Sequence, residues 1–106
     1  MKKIEIYQMP IEHPGVFMNL EFNQKKGFNL KKSAYKQVYS CEREGMYCLN
    51  DVWNELNYQH PADYRGRSLS VSDVVVITED GIQTAYFVDS FGFKTLADFF
   101  KEEDVV

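Results

Sequence analysis

Between His60 and Asp73 the chain sets out His60, Asp63, Arg65, Arg67, Ser68, Ser70, Ser72 and Asp73, with Asp89 and Ser90 further along. An imidazole, a carboxylate and a hydroxyl are the parts of a nucleophilic site, and they work only when they converge at hydrogen-bonding distance. The local pattern argues against catalysis. Gly66-Arg67-Ser68-Leu69-Ser70 lacks the second glycine of a nucleophile elbow, and it precedes a strand where an elbow follows one. In the structural reading, Asp63, Ser68, Ser70 and Ser72 instead bond loop backbone that would otherwise be unpaired. Arg65-Gly66-Arg67-Ser68 offers two guanidiniums and backbone amides to a phosphate, without the lysine or the length of a P-loop. His60 and His13 each precede a proline and lack the partner spacing of a metal site, so no metal or cofactor is expected. Asp73 and Asp89 are expected at the open end of a hairpin, each paired with Arg65 or Arg67. Tyr58 and Tyr64 flank the loop, and Tyr and Arg are favoured contact residues at protein interfaces.

These residues need elements to hold them. Val71–Thr78 and Ile82–Asp89 read as two strands joined by Asp80-Gly81, a preferred pair for a two-residue hairpin turn with positive φ at both positions. That turn sets Val75 opposite Tyr86, Ile77 opposite Thr84 and Val74 opposite Phe87. Both faces of the ribbon are then apolar, which places it in the middle of a sheet covered on both sides. Lys3–Gln8 alternates as a first strand ended by Pro10, and Tyr35–Cys41 is rich in strand formers. Leu49, Val52, Trp53 and Leu56 fall at i, i+3, i+4 and i+7 and predict an amphipathic helix. Weaker spacings predict a helix over Val16–Gln24. Thr95 with Asp98 three residues on resembles a capping box and predicts a closing helix through Leu96, Phe99 and Phe100, ahead of an acidic tail from Lys101. The result is one α+β domain over 1–106: a small, mostly antiparallel sheet around a central hairpin at about 71–89, with two or three short helices.

Composition narrows the function. The chain of 106 residues is 44% hydrophobic and 26% charged, with eight Phe, seven Tyr and one Trp, enough ring area to build a core in a chain this short. Residues 1–53 carry eight Lys/Arg against six Asp/Glu, and residues 54–106 four against ten. The acidic second half repels phosphate backbones and disfavours nucleic-acid binding, leaving Lys25, Lys26, Lys31, Lys32 and Lys36 as a solvated face. Met1-Lys2-Lys3 is not followed by an apolar run and no segment has transmembrane length, so a cytoplasmic protein away from membranes is expected. Cys41 and Cys48 flank a turn at Gly45 but make neither a disulfide framework nor a zinc site.

The run His60-Pro61-Ala62-Asp63-Tyr64-Arg65-Gly66-Arg67-Ser68-Leu69-Ser70-Val71-Ser72-Asp73, with Tyr86-Phe87-Val88-Asp89-Ser90-Phe91-Gly92-Phe93, resembles the YodL-like domain, most strongly over 35–100. The resemblance implies a small bacterial domain, often carried on mobile elements, with no enzyme activity, cofactor or substrate to carry over. Where similar members open the Leu49 helix with Thr or Ser, this chain has Cys48, a weak cap. The combined expectation is a non-enzymatic domain that binds a protein partner through loop 60–68, using His60, Asp63, Tyr64, Arg65, Arg67 and Ser68. The alternative is a small hydrolase or phosphate-ligand binder built on the same polar loop.

Overall fold

The computed structural model describes residues 1–101 and shows a five-stranded sheet. In chain order the elements are β1 (Lys2–Gln8), α1 (Leu20–Lys25), a 3-10 turn (Lys32–Ala34), β2 (Lys36–Arg43), α2 (Leu49–Tyr58), β3 (Val74–Glu79), β4 (Ile82–Val88) and β5 (Phe93–Thr95). The strand order is β2-β1-β3-β4-β5 and every neighbouring pair is antiparallel.

The ribbon of β3 and β4 occupies the interior of this sheet, with each strand paired on both sides. Its register is Val75 opposite Tyr86, Ile77 opposite Thr84 and Val74 opposite Phe87, as the two-residue turn demands. Asp80 (φ 52°) and Gly81 (φ 78°) both take the left-handed conformation that this turn requires. Each face carries its own core. On one, Ile4, Ile6, Val75 and Val88 pack with Val52 and Leu56 of α2 and with Tyr64 and Leu69 from the loop that follows it. On the other, Tyr7, Val74, Val76, Ala85 and Phe87 pack with Met9, Tyr35 and Phe99, ringed by Val16, Leu20 and Leu30.

The ends of several elements differ from expectation, each for a local reason. The helix predicted over Val16–Gln24 begins only at Leu20, because Phe17 stands at φ 64° and Asn19 Oδ1 caps the helix by accepting from Phe22 N at 2.8 Å. β3 starts at Val74 and not Val71, since Ser72 at φ 85° breaks the extended run. β2 runs two residues past Cys41, and Val38 is its bulge, the extra residue between the Ile6–Tyr39 and Tyr7–Gln37 pairs. α2 opens at Cys48 with Asp51 Oδ2 accepting from Cys48 N at 2.8 Å, so an aspartate does the capping that the cysteine does weakly. Cys41 and Cys48 are both free thiols.

The closing helix is absent among the described residues. Phe93–Thr95 pairs with β4 as an edge strand, Leu96 N extends that ladder to Ala85 O at 2.9 Å, and residues 97–100 form turns. Thr95 is therefore a ladder residue opposite Tyr86 and not a cap, and Asp98 pairs with Lys101 at 2.8 Å. The acidic tail expected after Lys101 lies outside the described residues. Phe99 still reaches the core, fully buried and edge-on to Tyr7 at 5.2 Å. Phe99→Ala is expected to cost about 3–5 kcal/mol, read as a lowered urea midpoint.

Candidate functional site

The site grows from the pairing of β1 with β3. Tyr7 lies opposite Val74, so one step further along this antiparallel ladder Gln8 comes beside Asp73. Both side chains are buried, and they meet: Gln8 Nε2 donates to Asp73 Oδ2 at 3.0 Å. The same Gln8 amide pairs with loop backbone much as a strand residue would. Its Oε1 accepts from Arg67 N at 3.1 Å and its Nε2 donates to Arg67 O at 2.9 Å. Asp73 Oδ2 also accepts from Ser70 N at 2.9 Å. Arg67 Nη2 donates to Met9 O at 2.8 Å, and Tyr64 Oη donates to Arg67 O. The loop is thus fastened at Arg67 to Gln8 and Met9 at the end of β1 and at Ser70 to Asp73, with Tyr64 bracing Arg67 from within the loop.

Asp73 is the costly part of this arrangement. It is fully buried, its Oδ1 has no hydrogen-bond partner among the described residues, and it forms no ion pair. Burial pushes its carboxyl up to about 7, against the opposing pull of Ser70 N–H, the Gln8 amide and the Arg67 charge. The ion pairs expected for the two aspartates do not form. Arg67 turns to Met9 O, while Asp89 Oδ1 accepts from Ser90 N at 2.9 Å and Leu20 N at 3.2 Å.

Tyr64, expected at the exposed surface, is buried, with its ring edge-on to Tyr39 at 5.2 Å and to His60 at 5.2 Å. Gly66 is required by close approach: a Cβ there would lie 2.7 Å from Tyr64 Oη and 2.8 Å from Val38 Cγ2. The exposed polar side chains of the loop are His60, Asp63, Arg65 and Ser68. Of these, Ser68 Oγ and His60 Nε2 come within 3.3 Å of each other. Asp63 does not complete a triad, since its Oδ1 accepts from Tyr39 Oη at 3.0 Å. Arg65 Nη1 donates to Ala62 O at 2.7 Å, whereas Arg67 turns inward, so the two guanidiniums do not close on one anion. Among the described residues no three His, Cys, Asp or Glu side chains gather as metal ligands.

Two participants carry no signal in the sequence. Gln8 looks like the polar end of a strand before Pro10, and its partners lie 59 and 65 residues away. Phe17 looks like a helix-face residue. Its N–H instead donates to the buried Ser72 Oγ at 2.9 Å, and its exposed ring lies 5.4 Å from the Arg67 guanidinium carbon.

The family model for the YodL-like domain matches residues 3–99. The chain belongs to the YodL-like domain family. The match takes in Gln8 and Phe17, well ahead of the stretch at 35–100 on which the resemblance first rested, so the YodL-like domain includes β1 and the loop after it as well as the hairpin. No curated protein and no solved structure matches the chain. Among the described residues of this YodL-like domain no helix is long and apolar enough to cross a membrane.

Proposed function

We propose that this YodL-like domain is a non-enzymatic interaction module that grips a protein partner with the outer rim of loop 60–68 and the adjoining Phe17 ring. The observation that carries the reading is Phe17. A bulky residue at φ 64° is strained, typically by about 1–2 kcal/mol, and this one is 46% exposed to solvent. The strain therefore goes unrepaid by core packing, and strain held in this way is a mark of function. Ser72 clamps the backbone and Arg67 lies against the ring, so the phenyl group is held in place for contact. His60, Asp63, Arg65 and Ser68 are exposed polar side chains of the loop, and a polar rim is the usual surrounding of an aromatic anchor. A cytoplasmic setting, on a mobile element, fits both the family and the two free thiols.

The test compares capture of a partner by wild type with capture by Phe17→Gly and by the pair His60→Ala with Arg65→Ala, all used as baits in lysate of the encoding cells. Glycine relieves the strain, so Phe17→Gly is expected to keep or raise the melting temperature while losing the partner. A partner retained by both baits removes this surface. The contact of Ser68 with His60 favours the hydrolase alternative, which predicts ester cleavage that Ser68→Ala abolishes.

A further inference from the structure

The sheet face that carries α2 is only half covered. Five strands at about 4.8 Å spacing span roughly 19 Å, and helices pack about 8–10 Å apart, so this face has room for two helices side by side. The chain supplies one. α2 packs through Val52 and Leu56 with Ile4, Ile6, Val75 and Val88, beside Tyr64 and Leu69 of the loop that follows it, and α1, the only other α-helix among the described residues, packs on the opposite face. Beside α2 runs a trench made of two hollows of about 520 Å³ and 230 Å³ that share Asn50 and Phe93. Its floor is Ile77, Tyr86 and Phe93, all half-buried, and Leu49 and Trp53 of α2 form one wall. Ile82, on the same sheet face, is 69% exposed.

The charges around the trench identify its occupant. The charged side chains that line it are Lys2, Glu79 and Asp89. Lys2 and Glu79 face each other at 3.7 Å and offset one another, and Lys2 also donates to Tyr47 O at 2.9 Å, so Asp89 is the lining charge left without a counter-ion among the described residues. Asp80 is exposed at the adjoining hairpin turn. The balance is acidic. A second copy of α2 is a poor match, because its outward residues, Asn50, Asn54 and Tyr58, are polar or polar-tipped.

We propose that the trench between α2 and the β4–β5 edge receives an amphipathic helix of a partner protein, with an apolar face toward Tyr86 and Phe93 and lysine or arginine along its flanks. This is the helix-in-groove mode of recognition. β4 has seven residues, about 24 Å of floor, which calls for a helix of about 16 residues. The site is separate from the rim of loop 60–68.

Trp53 is the only tryptophan in the chain and stands in the trench wall, so its fluorescence reports occupancy directly. The probe is a synthetic helical peptide of about 16 residues, with leucine on one face and lysine on both flanks. Its control is the same peptide with glutamate for lysine. The lysine peptide is expected to shift Trp53 emission to the blue with a Kd on the order of 10–100 μM, and the glutamate peptide to bind at least about tenfold more weakly. Phe93→Asp should abolish the shift. Glu79 is half exposed and its replacement leaves the core intact, so Glu79→Lys should reverse the preference between the two peptides. Arg65→Ala, on the loop rim, should leave peptide binding unchanged, which separates failure here from failure of the rim. Saturation by neither peptide at about 1 mM overturns the proposal, as does equal binding of both. So does a concentration-dependent dimer that Phe93→Asp dissociates, for then a second copy occupies the trench.

Discussion

Raising the pH from 5 to 8 is expected to destabilise this domain by about 2–3 kcal/mol, and Asp73→Asn to remove most of that dependence. Asp73 is fully buried, and its carboxyl is pushed by burial to about 7 from the ordinary value of 3.8. A carboxyl with a raised folded-state pKa holds a proton that the unfolded chain has already released. Its contribution to stability is therefore fully present below about 4 and is lost as the pH rises through 7. Glu55 and Asp51 act below this window. Burial of Glu55 is outweighed by donors on Arg43 and Tyr47, and Asp51 bonds to Cys48 N–H, so both lie below the ordinary carboxylate range. Asparagine at position 73 keeps an acceptor for Ser70 N–H and Gln8 Nε2 and cannot ionise. Urea unfolding at pH 5, 6, 7 and 8 should show wild-type stability falling and Asp73→Asn nearly level, with the variant the more stable at pH 8. Wild-type stability that holds level or rises over this range would refute the assignment.

Gln8→Ala is expected to cost about 3–4 kcal/mol although it removes only one polar side chain. It strands Arg67 N and one acceptor position on Asp73 and leaves Arg67 O to Tyr64 Oη alone, and each buried polar group left unpaired costs about 1–3 kcal/mol, partly recovered by local loosening. The loosening falls on the segment that holds two tryptic sites, Arg65 and Arg67. Limited trypsin treatment should therefore nick Gln8→Ala between Tyr64 and Ser68 while wild type stays whole. Equal resistance in the two proteins would mean that the loop is held by something other than Gln8.

Elements whose period and turn chemistry agree were legible in the sequence. Asp80-Gly81 dictated a two-residue turn, and that turn carried the register and both apolar faces of the ribbon with it. Leu49, Val52, Trp53 and Leu56 announced α2 in the same way. Elements settled by tertiary contact were not. Thr95 and Asp98 have the spacing of a cap, yet the free edge of β4 recruits Phe93–Thr95 into the sheet before a helix can start. Val16 and Phe17 fit a helix face, but Phe17 N–H is taken by Ser72 Oγ, 55 residues away. Tyr64 has the composition of a contact residue, and it turns inward because its hydroxyl finds Arg67 O under the loop. The loop itself was recognisable as polar and special. What held it, an amide from the end of β1, lay too far away in sequence to leave a pattern.

The central claim is that loop 60–68 is a fixed rim, fastened beneath by Gln8 and Asp73 and not a mobile tether. Amide hydrogen exchange at Arg67 and Ser70 tests this most directly, because those two N–H groups donate to Gln8 Oε1 and Asp73 Oδ2. Protection of both amides comparable to that of Val75 and Val76 in wild type, and its loss in Gln8→Ala, is the expected result. Exchange of Arg67 and Ser70 at unprotected rates in the wild-type domain would contradict it.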